Sequence, residues 1–90
     1  MTIVINNCYG GFELSEKAEK MLGLNQLYDD VKRTDEKLID CVRKLGEEAN
    51  GYFANLKVVE LPDNCTDYKI VENDGWETLY YVVDGKIHSV

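Results

Sequence analysis

One proline, one histidine and three cysteines in ninety residues leave little material for several kinds of chemistry. Cys8, Cys41 and Cys65 are odd in number and far apart, which argues against a disulfide framework. There is no C-x-x-C and His88 stands alone, so no structural zinc site is expected and no metal is assigned. Long apolar runs are missing too. Nothing approaches the roughly 18 residues of a membrane span, and Met1 leads into a strand pattern rather than a signal peptide. The expected setting is therefore the cytosol, away from membranes. Basic residues are also few: Lys and Arg number 10 against 17 Asp and Glu, a formal net charge of −7. That balance disfavours direct binding of nucleic acid, because little positive charge is available to displace counterions from phosphates. It suits a basic protein partner, and it equally serves solubility.

What is present describes one small domain spanning residues 1–90, with no repeat and no low-complexity tract. The chain is organised around Asn6-Asn7-Cys8-Tyr9-Gly10-Gly11-Phe12. This stretch follows a strand signal, Ile3-Val4-Ile5, whose consecutive apolar residues predict cover on both faces. Two adjacent glycines permit positive φ or close approach to another group. Either they turn the chain from strand to helix, or they present free amides to an anion.

Beyond the loop, Ser15 is a natural N-cap and Gly23 a natural stop, with Ala18, Met21 and Leu22 on the apolar side. Leu27, Tyr28 and Val31 are expected to cover the core from a loop, with Asp29 and Asp30 facing water. A second helix is predicted from Thr34 as N-cap to Ala49, with Leu38, Cys41, Val42, Leu45 and Ala49 as its apolar stripe and Asn50-Gly51 as its stop. Cys41 is expected as a core thiol. The remainder alternates in the β manner. Phe53–Leu61 is ended by Pro62; Tyr68–Glu72 and Trp76–Val83 flank a hairpin turn at Asp74-Gly75; and Asp84-Gly85 returns the chain through Ile87. The expected fold class is α+β in β-α-α-β-β-β order: an antiparallel or mixed sheet of four to five strands with two helices, at about 15–23 and 34–49, on one face.

Catalytic constellations are hard to assemble from these residues. A nucleophile needs a nearby base, and one histidine near the C-terminus makes no compelling pair with Cys8 or any serine. The carboxylates are spread over helix faces and turns, and Asp29-Asp30 and Glu47-Glu48 carry no specific metal-ligand pattern. The glycine loop lacks the Lys-Ser/Thr of a P-loop and the third glycine of a dinucleotide fingerprint. Arg33, just before the second helix, either pairs with Asp29 or Asp35 or is aimed at a phosphate or carboxylate. No enzyme activity and no cofactor are expected.

Taken in order, Ile5-Asn6-Asn7-Cys8-Tyr9-Gly10-Gly11-Phe12 with Leu14-Ser15, Arg33-Thr34-Asp35, Leu45 to Gly51 and Leu56 to Pro62 resemble a family of small, largely uncharacterised proteins of bacteriophages and prophages. The resemblance runs to about Trp76. It departs where Glu36 replaces a frequent proline and where the tail lacks a basic-aromatic ending. It implies a phage accessory protein acting in the host cytosol, and it carries over no catalytic residue. Two binding functions follow as expectations. One is sequestration, without cleavage, of a nucleotide-derived host immune signal by Asn6, Asn7, Tyr9, Gly10, Gly11, Phe12 and Arg33. The alternative is an acidic, anti-CRISPR-like inhibitor of a host defence complex. Trp76, Tyr80 and Tyr81 exceed what so small a core can cover, which predicts a homodimer or higher homo-oligomer.

Overall fold

The computed structural model describes residues 1–23 and 31–90. Leu27, Tyr28, Asp29 and Asp30 lie outside the described residues. The elements run β1 (Thr2–Asn6), α1 (Glu16–Leu22), α2 (Glu36–Leu45) with a 3-10 turn over Gly46–Ala49, β2 (Leu56–Glu60), β3 (Cys65–Asn73), β4 (Trp76–Val83) and β5 (Lys86–Ser89). This is the expected α+β order, and the five strands among the described residues form two antiparallel sheets, β1-β2 and β3-β4-β5.

Three layers result, and β1 explains them. Val4 points to one side, into a cluster with Ala18, Leu38, Ile39, Cys41, Val42 and Ala49 from the helices. Ile3 and Ile5 point to the other side, into a second cluster with Val59, Leu61 and Leu79. Strand side chains alternate between faces, so a consecutive apolar triplet serves two cores at once. β2 follows the same rule: Val58, opposite Val4, joins the helical cluster, and Val59, opposite Ile3, joins the other. The two-stranded sheet is thus the middle layer, with both helices on one face and the three-stranded sheet on the other.

The helix termini follow their caps. Ser15 Oγ accepts from the Ala18 amide and donates to the Glu48 carbonyl at 2.6 Å, and Gly23 closes α1 at φ +68°. The second helix starts one residue later than predicted. Asp35, not Thr34, is the N-cap, and its carboxylate accepts from the Lys37 and Leu38 amides. A carboxylate there also meets the positive end of the helix dipole. The helix ends at Gly46 (φ +58°) and tightens into the 3-10 turn, so the Asn50-Gly51 stop falls four residues too late. The stripe still holds to Ala49, which is fully buried.

Both hairpins turn through Asp-Gly, with Asp74 and Asp84 each at φ +52° and Gly75 and Gly85 at +90° and +75°. Positive φ at both central residues is the mirror-image turn whose twist matches antiparallel strands. β2 is shorter than predicted because Phe53 to Asn55 lie outside it, and β3 is longer. No described helix is long and apolar enough to cross a membrane.

Candidate functional site

The loop after β1 is zipped by backbone hydrogen bonds to the stretch between the 3-10 turn and β2. The Asn7 amide donates to Asn55, the Gly51 amide to Glu13 and the Ser15 amide to Ala49, at 2.8 to 2.9 Å. Backbone also presses on it from two sides. A Cβ on Gly10 would sit 1.7 Å from the Phe53 carbonyl oxygen, and a Cβ on Gly75 would sit 2.3 Å from the Tyr9 carbonyl oxygen. Gly10 therefore serves close approach of backbone to backbone, and Gly11, at φ +91°, supplies the turn.

Asn6 is the post on which this is hung. It is fully buried. Its side-chain amide donates to the carbonyls of Cys8 and Gly75, both at 2.8 Å, and its side-chain oxygen accepts from the Asn55 amide and the Cys8 thiol. One side chain thereby ties β1, its own loop, the β3-β4 turn and the start of β2. Buried polar groups are costly unless paired, and every side-chain atom of Asn6 is paired within the protein. The Cys8 thiol carries one hydrogen and lies within reach of two acceptors, the Asn6 side-chain oxygen and the Phe53 carbonyl.

Arg33 is equally committed. Its guanidinium forms a two-pronged ion pair with Glu77, one prong at 2.7 Å, and lies 3.6 Å from the centre of the Phe12 ring. Glu77 is itself 5 % exposed and accepts from the Asn6 backbone amide at 2.7 Å. The Arg33 carbonyl accepts from the Val4 amide, so its backbone lines the free edge of β1. Among the described residues, then, Arg33 answers to Glu77 rather than to Asp35, whose carboxylate is the helix cap. Planar bidentate geometry suits a buried pair of this kind.

The remaining predicted residues point outward. Tyr9 is 69 % exposed and its ring rests against Trp76, centroids 5.0 Å apart. The Asn7 side chain is half-buried, with no partner among the described residues. The fold thus joins Asn6, Phe12 and Arg33 through Glu77 into a structural knot and leaves Tyr9 on the surface. Beside Tyr9, Tyr52 and Phe53 are 96 % and 71 % exposed, with rings 6.3 Å apart. An open groove of about 770 Å³ runs from Tyr52 along the start of α1 and is lined, among the described residues, by Glu13, Glu16 and Glu19, with Lys20 as the one cation. Glu16 pairs with Lys20, and Glu13 accepts from the Tyr52 amide.

No family model, curated protein or solved structure matches this chain. Glu77, Tyr52 and Phe53 were not singled out from the sequence. Glu77 had a signal: it continues the Leu79-Tyr81-Val83 face by one step of two, which puts a carboxylate on an inward position that needs a cation. Phe53 reads as the first residue of a strand because aromatics favour strands, and Tyr52 falls just before it.

The cysteines divide by environment. Cys41 is buried in the helical cluster, as its place on the stripe predicts, and desolvation pushes its thiol above the ordinary value of 9.0, with Lys44 opposing. Cys8 and Cys65 are free and partly exposed.

Proposed function

We propose that this protein acts by binding another protein, as an acidic accessory that docks on a basic surface of a host defence complex. The observation that carries this reading is the exposed aromatic group Tyr9, Tyr52 and Phe53, set beside the glutamate-lined groove. Neighbouring exposed aromatics make the kind of contiguous apolar surface that marks interaction sites, and aromatics dominate interface energetics. The stretch that bears them is braced by Asn6 and by backbone contact at Gly10 and Gly75, so little backbone freedom is lost on docking. A partner presenting arginine or lysine gains carboxylates and aromatic faces together. The phage setting rests on the resemblance in the N-terminal motif.

Sequestration of a nucleotide-derived signal is the second reading, and Tyr9 with the Asn7 side chain favours it. It has lost its arginine to Glu77, and the adjoining groove is lined by carboxylates that repel phosphate. The deciding experiment is capture from host lysate on the immobilised wild-type chain and on Tyr52→Ala/Phe53→Ala, at low and high salt, alongside calorimetry with cyclic and ADP-ribose-derived nucleotides. The expected result is one stoichiometric, basic partner, weakened by salt and lost on the double variant, with no nucleotide heat. A partner retained equally by the double variant would refute the aromatic site, and nucleotide binding that disappears in Tyr9→Ala would favour sequestration.

A further inference from the structure

The three-stranded sheet has a second face that the fold leaves open. Ile70, Leu79 and Tyr81 turn inward to the β1-β2 layer. Strand alternation and the β3-β4-β5 register place Val71, Trp76, Thr78, Tyr80, Val82 and Ile87 on the opposite side. There Val71 and Tyr80 are each 41 % exposed, and Ile87 is 75 % exposed. An antiparallel sheet with one wet face normally alternates apolar inside and polar outside; here Val71, Trp76, Tyr80, Val82 and Ile87 stand on the outer face among Asp67, Lys69, Asn73, Thr78 and Ser89. β3 and β4 run together from Asp67 to Asn73, a strip of roughly 10 by 24 Å from the usual strand spacing and rise, and β5 widens it only beside Tyr80 to Val83.

We infer that this face is the contact between two copies of the chain, packed sheet to sheet about a two-fold axis. Charge selects the occupant. The chain as a whole carries −7, yet among the described strand residues the charges on this face are Asp67 and Lys69, opposite Val82 and Tyr80 on β4, and they cancel. A basic partner gains nothing from a neutral face. A second copy fits it, because a two-fold axis near these residues lets each Asp67 meet the other copy's Lys69 while the apolar side chains interdigitate. The acidic groove, Tyr52 and Phe53 contribute no residue to this face, which meets the proposed docking site only where Tyr9 rests on Trp76.

Light scattering and sedimentation equilibrium of the full chain at tens of micromolar should give twice the 10.3 kDa protomer mass. Ile87→Lys and Tyr80→Lys should each raise the dissociation constant about tenfold or more, with the far-ultraviolet circular dichroism unchanged. Tyr52→Ala/Phe53→Ala should leave the dimer intact. Ile87, three-quarters exposed in the protomer, keeps the test decisive even if Tyr80→Lys fails to fold. A monomeric wild type, a dimer indifferent to Ile87→Lys, or a dimer lost on Tyr52→Ala/Phe53→Ala would each overturn the inference.

Discussion

Replacing Arg33 with alanine tests whether that residue belongs to the fold or to a ligand. In the protomer the Arg33 side chain is 25 % exposed and that of Glu77 only 6 %. Removing the arginine leaves the deeper charge without its partner, and breaking one side of a buried pair costs about 3–5 kcal/mol. Glu77 keeps the Asn6 amide as a donor, and the arginine end is partly wet. The expected loss is therefore at the lower limit, about 3 kcal/mol, including the lost contact with Phe12. A ninety-residue domain has roughly 5–13 kcal/mol in hand, so the variant remains folded but melts about 12–24 °C lower. Glu77→Gln is the control. It retains an acceptor for Asn6 and leaves only the more exposed arginine unpaired, so its cost is about 1 kcal/mol. Urea and thermal denaturation followed by circular dichroism measure both. A loss below about 1 kcal/mol for Arg33→Ala, or one no larger than that of Glu77→Gln, would refute the knot described above.

Two further expectations concern the loop and the core. Gly10→Ala should cost about 1–3 kcal/mol in the same denaturation experiments, because the new Cβ meets the Phe53 carbonyl and backbone must move; a variant as stable as wild type would show that the loop is not pressed against residue 53. In the folded protein at pH 8, thiol titration should find Cys8 and Cys65 fast and Cys41 protected. A raised folded thiol value also means that stability present below the ordinary 9.0 is lost as pH climbs through the folded value, so the melting temperature should fall on the alkaline side and fall less in Cys41→Ala. Equal reactivity of the three thiols would contradict the burial.

Much of the architecture was legible because local signals agreed. Ser15 and Gly23 bounded α1, the Leu38-to-Ala49 stripe placed α2 on the core, and the two Asp-Gly pairs set both hairpins. These depend on contacts within a few residues, where caps, φ preferences and side-chain periodicity act. Ile3-Val4-Ile5 even announced that β1 is covered on both sides.

The use of the candidate residues was not legible, since long-range partners decide it. Asn6 and Arg33 have the chemistry of ligand-binding groups, and only the tertiary arrangement brings Gly75 and Glu77 to them across some 69 and 44 positions of chain. Tyr81 and Tyr80 are neighbours of one type in one strand. The stacking of the three-stranded sheet on β1 and β2 turns the first inward and leaves the second in water. Composition and periodicity determined which elements form and which side of each is apolar. Packing decided which apolar sides and polar groups the fold satisfies within itself, because burial and pairing are properties of residues brought together from distant parts of the chain.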